Sequence, residues 1–127
     1  MKKVLFFALV LCLMAGTAVA ADTIKIGLMA PITGAWASEG QDMQQIVELL
    51  AEEINAAGGV NGQKIEIITE DDGGDPRTAA LAAQRLSTRD IVAVIGTYGS
   101  AVTEASQGIY DEAGLIPPRK ARGMLDD

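Results

Sequence analysis

The residues best placed to do chemistry are Thr97-Tyr98-Gly99-Ser100, where a short apolar run ends and a helical pattern begins. Gly96, Gly99 and the small Ser100 and Ala101 let a ligand approach the backbone closely. The first turn of a helix adds N–H groups without intrahelical partners and a dipole that favours an anion. Ser100 and Thr103 are also of the right type to cap that helix, so the spacing leaves ligand contact and capping both open. A second polar group, Asp71-Asp72 with Asp75, has the carboxylates that calcium takes. It lacks the later glutamate of a calcium loop, and Asp75-Pro76 reads as an N-cap followed by proline at the first helical position. Loop polarity and a cap are expected there, with no metal and no other cofactor. Acid–base and covalent chemistry have few candidates. Histidine, the commonest general base, is absent, and the one cysteine is Cys12. The sequence has no GxSxG nucleophile elbow, no GxGxxG fingerprint and no GxxxxGK[ST] phosphate loop. The chain is not expected to be an enzyme.

The elements that must position these residues alternate regularly. Residues 23–30 (TIKIGLMA) begin with Ile24 and Ile26 on one face and become apolar throughout, as a buried strand does. Residues 31–40 are rich in Gly, Pro, Ser and Thr and read as a loop. From 41 to 57, Met43, Ile46, Val47, Leu50, Ile54 and Ala57 recur at spacings of three and four, which predicts an amphipathic helix ended by Gly58-Gly59. Asn61-Gly62 turns the chain into a second strand at 64–70, and 71–74 form a loop. An alanine-rich helix follows at 76–87, with Leu81 and Leu86 as its larger apolar residues. The continuous apolar run IVAVIG at 91–96 suits a central strand buried on both faces. A third helix is expected at 101–113, with Val102, Ala105, Ile109 and Ala113 on one face and Gly114 as its stop. Connections this short require crossovers and a parallel sheet, so the fold class is α/β, a doubly wound sheet of three strand-helix units. Ligands of such sheets sit at the carboxyl ends of the strands, which here are the loops 30–40, 71–74 and 97–100.

The two ends of the sequence read differently from its middle. Met1-Lys2-Lys3 is basic, 4–14 is almost wholly apolar, and Ala18-Val19-Ala20 has the small-residue pattern of a cleavage site, so 1–20 are expected to be a signal peptide cleaved after Ala20. The apolar run falls short of the roughly 20 residues that span a bilayer, so no stable membrane insertion is expected after cleavage. Cys12 lies inside that run behind Leu11, a poor setting for lipidation, and its removal leaves a chain without thiols. Losing Lys2 and Lys3 takes the net charge from −7 to −9, which argues against nucleic acid as a partner. Leu115-Ile116 begins a fourth strand that Pro117-Pro118 stops. Residues 21–116 are accordingly expected to form a partial lobe and 117–127 a disordered tail, the end of a truncated or frame-shifted product with an exposed sheet edge.

The segments IKIGLMAPITG, INAAGGVNGQKIEI, EDDGGDP and VIGTYGSAVTEAS, in this order and spacing, resemble the start of a branched-chain amino-acid binding protein, the Leu/Ile/Val receptor type of ABC importer. The resemblance spans 22 to about 116. It implies a periplasmic protein of two α/β lobes that close on an amino acid and then dock on a membrane permease. It implies that Ser100 holds the ligand's α-carboxylate through its hydroxyl and backbone, with Tyr98 and Gly99 completing that loop. Glu39 falls where relatives often present an aromatic ring to the ligand side chain, and Trp36 lies three residues earlier. Glu39 either faces a basic or polar ligand group or is a solvated charge, and Trp36 is either a ligand wall or a loop anchor. Gly74 and Gly99 stand where some relatives carry a cysteine pair. Since the second lobe and the loop after a fourth strand are missing, this chain alone is expected not to enclose a ligand. A sensory receptor of the same fold and a nonfunctional remnant are the competing readings.

Overall fold

The computed structural model describes residues 22–115; the expected signal peptide, Ile116 with the two prolines, and the tail lie outside them. Six elements alternate along the chain: β1 (Ile24–Ala30), α1 (Ala37–Ala56), β2 (Ile65–Asp71), α2 (Pro76–Ser87), β3 (Ala93–Ile95) and α3 (Ser100–Glu112). The strands form one parallel sheet in the order β2-β1-β3, the expected α/β arrangement. β1 pairs along its whole length with β2, from Ile24 opposite Ile65 to Ala30 opposite Asp71. Three of its residues, Ile26, Gly27 and Leu28, face Ala93, Val94 and Ile95 of β3.

Strand alternation sends successive side chains to opposite faces, and the two faces are packed differently. One is closed by α2 and α3, which also pack on each other. Its core comprises Met29, Ala79, Ala82, Ala83, Leu86, Ile91, Val102 and Tyr110, with Ile68 and Val94 packed against it. The alanines bring α2 close to the sheet, and each fully buried large side chain, such as Leu86 or Met29, contributes roughly 1.5–3 kcal/mol. Tyr110 joins this core by donating its hydroxyl to the Met29 sulfur at 3.3 Å. Of the two larger apolar residues of α2, Leu86 is buried and Leu81 is exposed.

The other face carries α1, packed on β1 and β2. Val47, Leu50, Ala51 and Ile54 of α1 line a groove with Ile26, Ile65, Ile67 and Ile95 of the sheet. Leu28 is completely buried, but Leu50 is 51% exposed and Ile95 41% exposed. Ile46 and Leu49 are exposed as well. β3 therefore does not sit where the sequence suggested. Among the described residues it is a short edge strand, and β1 is the central one. Ile91, expected inside the strand, lies just before it and packs into the core beneath Gly27.

α1 also begins earlier than the Gly- and Ser-rich sequence implies, at Ala37 instead of residue 41. Gly40 is the reason. It donates its N–H to the Trp36 carbonyl at 3.0 Å, and a Cβ on it would lie 2.1 Å from the Pro31 carbonyl oxygen. Only a residue without a side chain lets this turn of helix lie against the end of β1. At the far end, Asn55 binds Ile65 twice, donating to its carbonyl at 2.8 Å and accepting from its N–H at 2.7 Å. Asp75 caps α2 as expected, accepting from the Thr78 N–H at 2.9 Å, with Pro76 following it.

Gly40→Ala gives the sharpest test of this packing, because helix propensity alone favours alanine by up to about 1 kcal/mol. The clash with Pro31 is expected to reverse that sign and cost about 1–3 kcal/mol. Urea unfolding followed by circular dichroism measures it, and a stabilised variant would contradict the contact.

Candidate ligand-binding site

In a doubly wound sheet the ligand crevice opens where the chain order reverses, outside the carboxyl ends of the strands. Here β2 lies on one side of β1 and β3 on the other, so that point falls between the loop after β1 and the loop after β3. The loop after β2 lies alongside. The three loops correspond to those expected from the sequence, with the first shortened by the early start of α1, and with Asp71 falling in β2 and Ser100 in α3.

The first two loops are joined by Asp71, the last residue of β2. Its Oδ1 accepts from the N–H groups of Ile32, Thr33 and Gly73 at 2.9, 3.2 and 2.8 Å, and its Oδ2 accepts from the Thr33 hydroxyl at 2.5 Å. Partial burial pushes its carboxyl upward, but these donors outweigh it and hold the group below its ordinary value. Asp72 has the opposite setting. It is 1% exposed; its Oδ1 accepts from Gly74 N–H at 2.7 Å, and its Oδ2 has no partner among the described residues. Burial pushes its carboxyl up, against the pull of the Gly74 N–H and with the help of the Asp71 charge. Asp71 thus ties the loop after β1 to its own, Asp72 turns to the backbone of its own loop, and Asp75 caps α2. Among the described residues no group of three or more His, Cys, Asp or Glu is arranged to hold a metal ion.

The loop after β3 brings Tyr98, Gly99 and Ser100 to this end of the sheet. Gly99 is the N-cap of α3, with an extended backbone and no side-chain cap. Ser100 is the first helical residue and is exposed, so it does not cap the helix. Thr103 does not cap it either: its hydroxyl donates to the Gly99 carbonyl at 3.1 Å and pairs with the Thr97 hydroxyl. The capping alternative left open by the sequence is therefore not what the fold uses. The first turn of α3 presents its N–H groups without a side-chain acceptor, beside an exposed hydroxyl.

Trp36 stands immediately before α1 and reaches across both neighbouring loops. Its ring lies against Gly74 and Gly99 and is 5.6 Å from the Tyr98 ring, tilted by 59°. It remains 42% exposed. Glu39 lies in the first turn of α1, not in a loop, and is exposed. The sequence-predicted residues Trp36, Tyr98, Gly99 and Ser100 are thus assembled at one end of the sheet, and Glu39 projects from the helix that Trp36 begins. What sequence reasoning missed is that Asp71, expected only as loop polarity, ties its loop to the one after β1. Its signal was its place as the first carboxylate after an apolar strand, at the start of a ligand-side loop.

The Asp71 bonds give a signed dependence on pH. A carboxyl held below its ordinary value contributes stability that is complete above the unfolded-state pKa and is lost as pH falls through the folded value. At pH 7, Asp71→Asn is expected to be less stable than the parent by about 1–3 kcal/mol. Urea unfolding should show that gap shrinking as pH falls from the ordinary carboxylate value through the lower folded one, where Asp71 becomes neutral as Asn is. A gap that does not change with pH would contradict the assignment.

The sequence profile of a family described as periplasmic binding protein matches residues 23–117. An amino acid binding protein of Pseudomonas aeruginosa is 43% identical over 94 residues, covering 73% of this chain and 25% of that protein. The leucine-, isoleucine-, valine-, threonine-, and alanine-binding protein of the same organism is 40% identical over 113 residues, covering 88% of this chain and 30% of the relative. Among solved structures, the branched-chain amino acid transporter substrate binding protein of Streptococcus pneumoniae, in complex with isoleucine, superposes with a TM-score of 0.72 at 31% identity. That match covers 80% of this chain and 32% of the other. The chain therefore spans between 25% and 32% of the length of these relatives. With the family profile matched over most of its length and a solved relative superposing on 80% of it, the chain belongs to the periplasmic binding protein family.

Proposed function

We propose that this chain carries the opening strand-helix units of the first lobe of a substrate-binding component of an ABC importer for branched-chain or related amino acids. The observation that carries the reading is the uncapped N-terminus of α3, with Ser100 exposed beside it, at the point where the strand order reverses. A carboxylate fits that place. It accepts from the Ser100 hydroxyl and from N–H groups of the first helical turn, and the dipole favours its charge. Tyr98 and Gly99 form the loop that delivers the ligand to this helix end. Trp36 and Glu39 lie toward the ligand's side chain, the first as an apolar wall and the second as a partner for a polar or basic group. The relatives named above support an amino acid as the ligand class. A fatty acid ABC transporter substrate-binding protein from Thermomonospora curvata, with a TM-score of 0.70 at 31% identity, also has a carboxylate ligand class in its name. The carboxylate is the common chemistry.

In this reading the protein is exported by the signal peptide at 1–20, works in the periplasm and, as part of a two-lobed protein, delivers its ligand to a membrane permease. Among the described residues no helix is long and apolar enough to cross a membrane. The loops of residues 31–36, 71–75 and 96–99 supply one wall. Small-molecule sites bury most of the ligand surface, so a single wall holds an amino acid weakly.

Two preparations test this. Calorimetric titration of the chain alone with leucine, isoleucine and valine is expected to show no saturation at millimolar concentration. Joined in frame to the remaining length of the Pseudomonas aeruginosa Leu/Ile/Val/Thr/Ala-binding protein, it is expected to bind saturably. Ser100→Ala in that fusion should weaken binding roughly 10- to 100-fold, the worth of a hydrogen bond to a charged group. Undiminished affinity in the Ser100→Ala fusion would overturn the carboxylate assignment. Saturable binding by the chain alone would overturn the single-wall reading.

A further inference from the structure

The loops at the carboxyl end of the sheet are held by two different kinds of force. The loops after β1 and β2 are joined by the hydrogen bonds to Asp71, a charged acceptor with several donors. The loop after β3 has no such tie. Beyond the β1–β3 ladder, the hydrogen bonds of Thr97 and Gly99 among the described residues stay local: Thr97 to the Gly99 carbonyl, Thr97 to Thr103, and Thr103 to Gly99 by hydroxyl and N–H. What bridges this loop to its neighbours is the indole of Trp36. Ideal Cβ positions on Gly74 and Gly99 lie 3.3 and 3.5 Å from the same ring atom, Cζ3, and the Gly74 position is only 2.9 Å from Cε3. The missing side chain of Gly74 thus leaves a slot that one edge of the indole fills, Gly99 of the other loop lies in van der Waals contact with the same edge, and Tyr98 leans against the ring from the β3 side.

We infer that Trp36 is a positioning residue, a wedge that sets the separation of the loops after β2 and β3 and thereby fixes the first turn of α3. It acts by shape. A side chain on Gly74 would collide with the ring, and at φ +70° that residue also has a backbone conformation that side chains rarely adopt. Gly99 has no such backbone requirement, and an ideal Cβ there would meet the ring at 3.5 Å and Val102 at 3.8 Å, ordinary van der Waals distances, so on this side the ring packs against the loop without demanding a glycine. Dispersion contacts of this kind are individually weak and collectively sufficient to hold a loop whose polar groups are satisfied internally. The consequence for a ligand at Ser100 rests on the proposed carboxylate site. The positioning of the loop does not.

The test therefore uses no ligand. Amide hydrogen exchange of the complete chain is compared for the parent, Trp36→Ala and Trp36→Phe. In Trp36→Ala, exchange of the amides from 97 to 102 is expected to rise about tenfold or more, while the amides of Ala79–Leu86 keep parent protection. Trp36→Phe should recover part of the loss. Unchanged protection at 97–102, or an equal rise in the core, would overturn the inference. A second measurement covers the case in which Trp36→Ala does not fold. Trp36 is the only tryptophan, so its emission reports the slot directly. Gly74→Ala should shift that emission to the red, raise quenching by acrylamide and loosen residues 97–102 together. Displacement of the ring without loosening of that loop would refute the wedge.

Discussion

Strand β1 is paired on both edges, with Ile65–Asp71 on one side and Ala93–Ile95 on the other, and its side chains are committed to both faces of the sheet. Every ligand-side feature takes its place from that strand. Its far end delivers the chain to Pro31 and then to Trp36; its neighbours deliver Asp71 and Tyr98. Gly27, the middle residue of the strand, shows how little slack there is, since a Cβ there would meet Ile91 at 2.9 Å and Leu86 at 3.2 Å. A parallel sheet has all its carboxyl ends on one side, so three loops from distant parts of the sequence converge without any further device.

Local chemistry is what the sequence makes legible. Asp75 caps α2 through a side chain three residues from its partner, and the glycines that end α1 and α3 act within their own turns. The order of strands and helices is equally readable, because apolar period and short connections suffice to fix a parallel α/β sheet. Boundaries that depend on distant atoms are not readable. The start of α1 at Ala37 depends on Gly40 meeting Pro31, and composition in that stretch imitates a loop. The run IVAVIG has the apolar continuity of a buried central strand, yet only Ala93–Ile95 pair and Ile95 lies half open, since nothing in the described chain covers that edge. Period also misplaces part of the inner face of α3: Ser106 and Tyr110 are buried beside Val102, while Ala113, expected on that face, is exposed.

The candidate site divides in the same way. Ser100 is recognisable from a strand end, small residues and a helix start, all within a few positions. Whether it caps the helix or faces outward is a matter of rotamer and backbone that only the fold decides, and there Gly99 takes the N-cap place. Asp71 and Trp36 are picked out by the sequence, one as loop polarity and the other as a ligand wall or loop anchor, but their partners are not. Their roles consist of contacts between loops that are far apart in the chain, and neither residue type announces them. A carboxylate after a strand and an aromatic before a helix are ordinary until Thr33, Gly74 and Gly99 are placed around them.

Helix α1 has a mechanical meaning that its packing alone does not convey. Twenty residues long, it is a rod of about 30 Å, seated at its first turn on Pro31 and tied at its last to Ile65 by both polar atoms of Asn55. The rod therefore runs from the ligand end of the sheet to the opposite end and is fastened at both. A helix does not shorten under load, so a displacement of Trp36 or Glu39 has two exits: the loop of residues 31–36, or a rigid tilt felt at the start of β2. In this sense α1 is a strut built across the sheet, joining the end that holds the candidate site to a surface about 30 Å away.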